Sequence, residues 1–280
     1  MSLTTATEDR SKPVLRMSGA WVQGIALVML FGFFVMGFLA YRTYDASMPL
    51  PKQIVSESTG EEILSEEEIV RGQALYQSRG LMQYGSIMGH GAYLGPDYTA
   101  EYLRLSTEHA RKLNDENGLP DFVSKDATPE QAIVEEFRTN RYDEESGVLK
   151  WTENQEAAFE EIQKHYAQFF GPDSSENGLP SDFITEEKDI HDLTAFFAWT
   201  AWASAAERPG MDYSYTNNWP AEPRVENGPT ADIVVWSVLS LIALIGGTGL
   251  IFAIYGRWSK QIGWHSEEAP SLDFKQPGEV

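Results

Sequence analysis

Cysteine is absent from the 280 residues of this sequence. The protein therefore contains no disulfide bond, no thiolate ligand for a metal ion and no thioether link to a haem group. Basic residues are also scarce, since 21 lysines and arginines stand against 42 aspartates and glutamates, and the formal net charge is −21. Because such a surface repels polyanions, we expect no nucleic acid among its partners.

Two long segments lack charged residues altogether. Residues 17–41 and 233–255 contain no Asp, Glu, Lys or Arg. Each is about 23 to 25 residues long, and about 20 apolar residues are enough to cross the core of a bilayer. We interpret both segments as transmembrane helices, and neither holds an ionisable group for a proton path or a cofactor.

A secretory signal is the alternative for the first apolar segment. The apolar part of such a signal is usually about 7 to 15 residues long and precedes a cleavage site of small residues. This segment is longer, and Trp21, Tyr41 and Tyr44 lie near its ends, where aromatic side chains favour the membrane interface. We therefore predict an uncleaved anchor.

Basic residues near the apolar segments predict the orientation of the chain. Three precede the first segment, and Arg257 and Lys260 follow the second. Because positive residues beside a span favour the cytoplasmic side, we expect both termini in the cytoplasm. Residues 43–231 then lie outside it, and with 35 acidic and 14 basic residues they carry the whole net charge.

The two apolar segments and the predicted orientation divide the chain into five parts. They are a cytoplasmic tail (1–16), a transmembrane helix (17–41), an extracytoplasmic domain (43–231), a second transmembrane helix (233–255) and a cytoplasmic tail (256–280).

Capping residues and apolar periodicity predict five helices inside the domain. The predicted helices are about 66–79, about 97–113, one that begins at Thr128, about 151–170, and one that begins at Thr185. In the first of them, Ile69, Ala74, Leu75 and Tyr76 are expected on the buried face. The glycine-rich residues 81–95 predict a tight, structured loop. Since no alternating pattern typical of strands is present, the predicted fold class is mainly α.

The residues show no recognisable catalytic set. No pair among the five histidines has the i, i+3 or i+4 spacing that places two metal ligands on one face of a helix. His191 and Asp192 are adjacent, and neighbouring residues on a helix point in different directions. We interpret them as part of the polar surface of an amphipathic helix, and the acidic runs at 66–68 and 143–145 as solvated charge.

Five strings rich in glycine and aromatic residues carry a resemblance to a known family. They are GQALY (72–76), GHGAYLGPDY (89–98), FAWTAW (197–202), RPG (208–210) and YTNNWP (215–220). They resemble the amino-terminal part of quinol-dependent nitric oxide reductase, a family of the haem-copper oxidase superfamily. The resemblance covers nearly everything between the two apolar segments.

The resemblance implies two transmembrane helices flanking a helical, cytochrome c-like domain without haem. When residues 89–93 are aligned with haem-bearing relatives, the Cys-x-x-Cys-His attachment motif of those relatives falls on residues 81–85. Leu81 and Tyr84 replace the two cysteines, and Gly85 replaces the haem-ligating histidine. Electrons are therefore expected from a membrane quinol rather than through this domain.

The resemblance also implies a calcium site. In two-component relatives the loop corresponding to 89–93 lies against the catalytic subunit, where a glycine and a tyrosine help to hold a bridging calcium ion. Those positions are Gly91 and Tyr93 here, and we expect them to bind through backbone carbonyls, which are hard ligands suited to calcium. His90 stands where the relatives have an acidic residue.

Family members continue through further membrane spans that carry haem b, haem b3 and a non-haem iron. This sequence ends at Val280, so we expect a fragment or one part of a split enzyme, inactive alone, in the inner membrane of a prokaryote. A catalytic partner would use quinol to reduce two NO to N2O. Two alternatives stay open: a nitric oxide dismutase-like relative with the same front end, or a free-standing membrane-anchored binding or assembly protein.

Overall fold

A computed structural model describes residues 19–45, 47–124 and 126–258. The chain divides into two compact units. One comprises the described residues of Ala46–Val235, and the other comprises the described residues of Met1–Asp45 and Trp236–Val280. The tail predicted at 1–16 and most of the tail predicted at 256–280 lie outside the described residues.

The two apolar segments are long helices, α1 (Gly19–Asp45) and α7 (Ala231–Trp258). Within them, Val22–Tyr44 and Ala231–Ile254 have mean hydropathies of 2.3 and 2.2, and neither is buried inside the protein. Such helices satisfy their own backbone hydrogen bonds and expose apolar side chains that lipid can cover. The predicted fold class, two membrane helices flanking a mainly helical domain, is confirmed.

Five helices build the domain between them, as the capping residues predict. Thr128 and Thr152 each accept a hydrogen bond from the backbone N–H three residues further on, and the Glu68 carboxylate accepts from the Ser65 N–H at 2.7 Å. These bonds satisfy polar groups that the first turn of a helix leaves unpaired. The helices are α2 (Glu66–Ser78), α3 (Tyr98–Asn117), α4 (Pro129–Arg138), α5 (Glu153–Phe170) and α6 (Glu187–Ala205).

Two details of the predicted helices are wrong. Ala74 is exposed, because the buried face of α2 follows Ile69, Gly72 and Tyr76, at helical spacings of three and four residues. Gly72 thus takes the buried place predicted for Ala74. Trp151 does not start α5 but ends a strand, so that the helix begins after Thr152.

The domain also contains strands, which the sequence did not predict. One sheet has the order β2-β1-β6-β5, with β1 parallel to β6 and the other pairs antiparallel, and β3 pairs with β4 in a separate hairpin. Strands of two to four residues are too short to display alternation. The strands are β1 (Gln53–Ser56), β2 (Glu62–Ser65), β3 (Ser86–Ile87), β4 (His90–Gly91), β5 (Tyr142–Asp143) and β6 (Val148–Trp151).

Aromatic rings fill the place where α2, α3, α5 and α6 meet. The rings of Tyr98 and Phe197 stack with their centroids 4.7 Å apart and their planes 4° from parallel. Tyr166 packs edge-on against Phe197 at 5.1 Å, and Phe170 stacks on Tyr166 at 5.8 Å. Because all four side chains are buried, the interior of the helical domain is packed with protein side chains.

A buried carboxylate joins α4 to the start of α5. Glu136 is fully buried, and its carboxylate accepts hydrogen bonds from the Thr152 hydroxyl and from Asn154 Nδ2, the latter at 3.1 Å. Burial raises the pKa of Glu136 above its ordinary value of 4.5, while these two bonds act in the opposite direction. The network fixes the two helices relative to each other.

Candidate functional site

The glycine-rich segment forms a pinned hairpin. Ser86 in β3 lies opposite Gly91 in β4, and a 3-10 turn, Leu81–Gln83, precedes the hairpin. The Ala92 N–H donates to the Met82 carbonyl at 2.9 Å. We call residues 85–97 the glycine hairpin; it is a structured loop, as predicted, although its two short strands were not expected.

Asp97 connects the glycine hairpin to α3. One carboxylate oxygen accepts from the Ser86 hydroxyl at 2.7 Å and from the Gly89 N–H at 2.6 Å. The other accepts from the Ala100 N–H at 3.0 Å and so caps the helix. The sequence identified Asp97 only as a helix start, because nothing in the local pattern indicates the two bonds to the hairpin.

Close backbone contacts require glycine at two positions of the hairpin. Gly91 has φ +146°, and a Cβ atom placed there would collide with the Gly85 carbonyl oxygen and lie 2.8 Å from the Ser86 Cα. A Cβ atom on Gly85 would lie 2.5 Å from the Pro96 carbonyl oxygen and 2.6 Å from the Tyr98 ring. Larger residues at either position would force the backbone apart.

The residues present do not fit a haem c group. Gly85, aligned with the ligating histidine, has no room for any side chain. Leu81, aligned with the first cysteine, is fully buried in the core. Tyr84, aligned with the second, is half-buried with its ring 6.1 Å from that of Phe183. Without thiols or a histidine here, the domain has no means of attaching this cofactor.

Beside the hairpin lies an open apolar groove of about 470 Å³. Trp219 packs against Gly89, where a Cβ atom would come 2.5 Å from the indole Nε1. Further along the hairpin, Tyr93 is 89% exposed and Leu94 is 81% exposed. The residues that line the groove include Tyr76, Met82, Ile87, Met88, Phe196 and Trp219. The exposed hairpin side chains and the groove offer a partner an apolar surface.

The structure places the two residues predicted as calcium ligands on this hairpin. Gly91 lies in β4 and Tyr93 follows two residues later. Because the Tyr93 ring is exposed, its side chain is not held against the domain. Within the described ranges, no group donates a hydrogen bond to the Tyr93 carbonyl. That oxygen is therefore available to a hard cation such as calcium.

A second group of side chains has the composition of a metal site. Ligand atoms of Glu68, His191 and Asp192 lie within 4.8 Å of one another. The interpretation of His191 and Asp192 as a polar surface is wrong for Asp192, which is buried. Its carboxylate instead accepts from Arg71 Nε at 2.7 Å and from Arg71 Nη2 at 3.1 Å. This bidentate ion pair already neutralises the carboxylate, so a metal ion would have to displace the guanidinium.

Comparison with known proteins identifies the family. No curated protein matches the chain. A family model for the cytochrome c-like domain of the nitric oxide reductase protein NorB matches residues 51–221, which is more than half of the chain. The match includes the sheet, the glycine hairpin and helices α2 to α6. The chain therefore belongs to the NorB family of nitric oxide reductases, whose cytochrome c-like domain it carries between two membrane-type helices.

Proposed function

We propose that the chain is the amino-terminal anchor and structural domain of a quinol-dependent nitric oxide reductase. The observation that carries the proposal is the match of residues 51–221 to this family in a chain without cysteine. Because the domain holds no haem c, electrons for the reduction of two NO to N2O come from another donor. A quinol dissolved in the bilayer supplies two electrons and two protons, which is the requirement of that reaction.

In this proposal the domain lies outside the cytoplasm of a prokaryotic inner membrane, and a catalytic domain or subunit carries haem b, haem b3 and non-haem iron. The glycine hairpin is the surface that docks on that partner. The exposed side chains of Tyr93 and Leu94, together with the apolar groove beside the hairpin, provide an apolar surface of the kind that marks interaction sites. Close packing of Gly85, Gly91 and Trp219 holds the backbone beneath them in one conformation, which lowers the entropy lost on docking.

Purification from the native membrane in mild detergent tests this function. We expect the protein to elute with a b-type haem spectrum and to consume NO with quinol as the electron donor, yielding N2O. The double variant Tyr93→Ala/Leu94→Ala should lower haem content and NO consumption at least tenfold, because buried anchor residues contribute about 2 kcal/mol or more each to an interface. Met211→Ala, half-exposed outside the groove, is the matched control and should change neither.

Other outcomes would decide between the alternatives. A colourless, solitary protein without NO consumption would contradict the reductase and support a membrane-anchored binding or assembly protein. Formation of O2 and N2 instead of N2O would support a dismutase-like enzyme. Equal losses in the Met211 variant and in the double variant would contradict docking through the hairpin.

We further propose that a calcium ion bridges the hairpin and the catalytic partner through the carbonyls of Gly91 and Tyr93. The free Tyr93 carbonyl supports this assignment. Removal of calcium with a chelator should release the bound ion, measured by elemental analysis, and should lower haem content. Tyr93→Phe keeps the carbonyl and should retain calcium. Loss of calcium in that variant would show that the phenol rather than the backbone is the ligand.

A further inference from the structure

Two stretches of the acidic domain carry no formal charge, and they meet at one place. Residues 80–96, which include the turn before the glycine hairpin and most of the hairpin itself, contain no Asp, Glu, Lys or Arg. Residues 213–221 contain none either. Trp219 of the second stretch packs against Gly89 of the first. Because residues 43–231 hold 35 acidic residues, a face without carboxylates is a distinct feature of this domain.

The apolar groove of about 470 Å³ lies where these two stretches meet. None of the described residues that line it is Asp, Glu, Lys or Arg. Met82 and Trp219, which both line it, are 48% and 51% exposed. Apolar side chains that are exposed singly are ordinary, whereas a groove lined with them marks an interaction site.

One part of the groove lies close to the point where the first membrane helix joins the domain. Phe196 lines the groove, and its ring lies 6.1 Å from that of Trp199, between centroids. The Trp199 indole Nε1 donates to the Pro49 carbonyl at 3.0 Å. Pro49 comes four residues after Asp45, where α1 ends, and four residues span at most about 14 Å.

Another part of the groove lies close to the start of the second membrane helix. Trp219 lines the groove, and the Nδ2 of the preceding residue, Asn218, donates to the Gly228 carbonyl at 3.0 Å. Gly228 comes three residues before Ala231, where α7 begins, and three residues span at most about 11 Å. Both connections between the domain and the membrane helices are therefore a short length of chain away from the groove.

We propose that the groove and the two uncharged stretches form a lipid-contact face, with which the domain rests on the leaflet from which α1 and α7 emerge. Tryptophan favours the depth of the lipid headgroups, which suits Trp219, and the flexible side chain of methionine adapts to irregular partners. Burial of apolar side chains in the membrane interface is favourable. The absence of carboxylates from this face spares the acidic domain a repulsion by anionic lipids.

The lipid-contact face and the docking surface of the proposed function are different parts of the domain. Tyr93 and Leu94 do not line the groove and remain assigned to the catalytic partner. The inference rests on the anchoring in a bilayer that the proposed function includes, and not on the reductase activity. The chain should therefore contact lipid through this face without its catalytic partner.

Photolabelling in vesicles tests the lipid-contact face. The full chain alone is reconstituted in phosphatidylcholine vesicles that contain a phospholipid with a diazirine close to its headgroup. After irradiation, labelled peptides are identified by mass spectrometry. We expect labels in residues 80–96 and 213–221, and at the ends of α1 and α7 as the internal positive control. The acidic first half of α5, residues 153–164, should stay unlabelled.

Two matched variants make the test specific. Met82→Asp places a carboxylate at an exposed position of the groove and should abolish the labels in both stretches but not those in the membrane helices. Val70→Asp changes an exposed residue of α2 that does not line the groove and should keep all labels. Circular dichroism checks that both variants fold. A wild-type chain labelled only in its membrane helices, or equal losses in the two variants, would overturn the proposal.

The complex purified from the native membrane distinguishes lipid from protein as the occupant of the groove. Reconstituted in the same vesicles, the complex should keep the labels in residues 80–96 and 213–221. Loss of these labels in the complex, with their presence in the chain alone, would assign the groove to the catalytic partner. That result would overturn the lipid contact and leave the proposed reductase function intact.

Discussion

Replacing Gly72 with alanine is expected to lower the free energy of unfolding of the helical domain by about 3 kcal/mol. Gly72 lies where α2 crosses α6. An added Cβ atom would collide with the Asp192 carbonyl oxygen and would lie 2.8 Å from the Phe196 Cβ. Since the nearest obstacle is backbone rather than a flexible side chain, α2 and α6 would have to separate. Separation would also strain the ion pair between Arg71 and Asp192.

Gly228→Ala is the matched control for this substitution. Nothing lies within 4 Å of a Cβ atom at Gly228. The free energy of unfolding of the Gly228→Ala variant should therefore stay within about 0.5 kcal/mol of the wild-type value. Denaturant unfolding of the detergent-solubilised chain, followed by circular dichroism, measures both variants. Equal stability of the Gly72 variant and the wild-type protein would mean that the two helices do not cross as closely as the structure indicates.

The helices were predictable from sequence because their signals are local. Thr128 and Thr152 cap their helices as predicted, each with a glutamine three residues later. The strands were not predictable, because β1 and β6 pair across nearly a hundred residues of sequence and each is only four residues long. A pairing of that kind depends on tertiary packing rather than on local preference.

The candidate site was predictable only in part. The resemblance identified the glycine hairpin, and the spatial reason for its glycines became visible only with the contacts of Gly85 and Gly91. Asp192 looked like a surface residue because its partner, Arg71, lies 121 residues away in sequence.

Asp97→Ala is expected to disconnect the glycine hairpin from the domain. The substitution removes a helix cap, worth about 1 kcal/mol, and two charge-assisted hydrogen bonds to Ser86 and Gly89, worth about 1.5 kcal/mol or more each. We expect the free energy of unfolding to fall by about 4 kcal/mol. Faster hydrogen exchange of the hairpin amides should accompany it. If the hairpin docks as proposed, less of the catalytic partner's b-type haem should also co-purify.

Asp97→Asn separates the two roles of this residue. Asparagine is as good a helix cap as aspartate, and its amide oxygen can still accept from the Ala100 N–H. Its NH2 group would face the Gly89 N–H, which is itself a donor, so that bond is lost, whereas the Ser86 hydroxyl can accept from the NH2 group. Stability should therefore fall less than in Asp97→Ala, and hairpin exchange should rise and haem content fall by a smaller amount than in that variant. Wild-type exchange and haem content in Asp97→Asn would show that the bond to Gly89 does not position the surface proposed to dock on the catalytic partner.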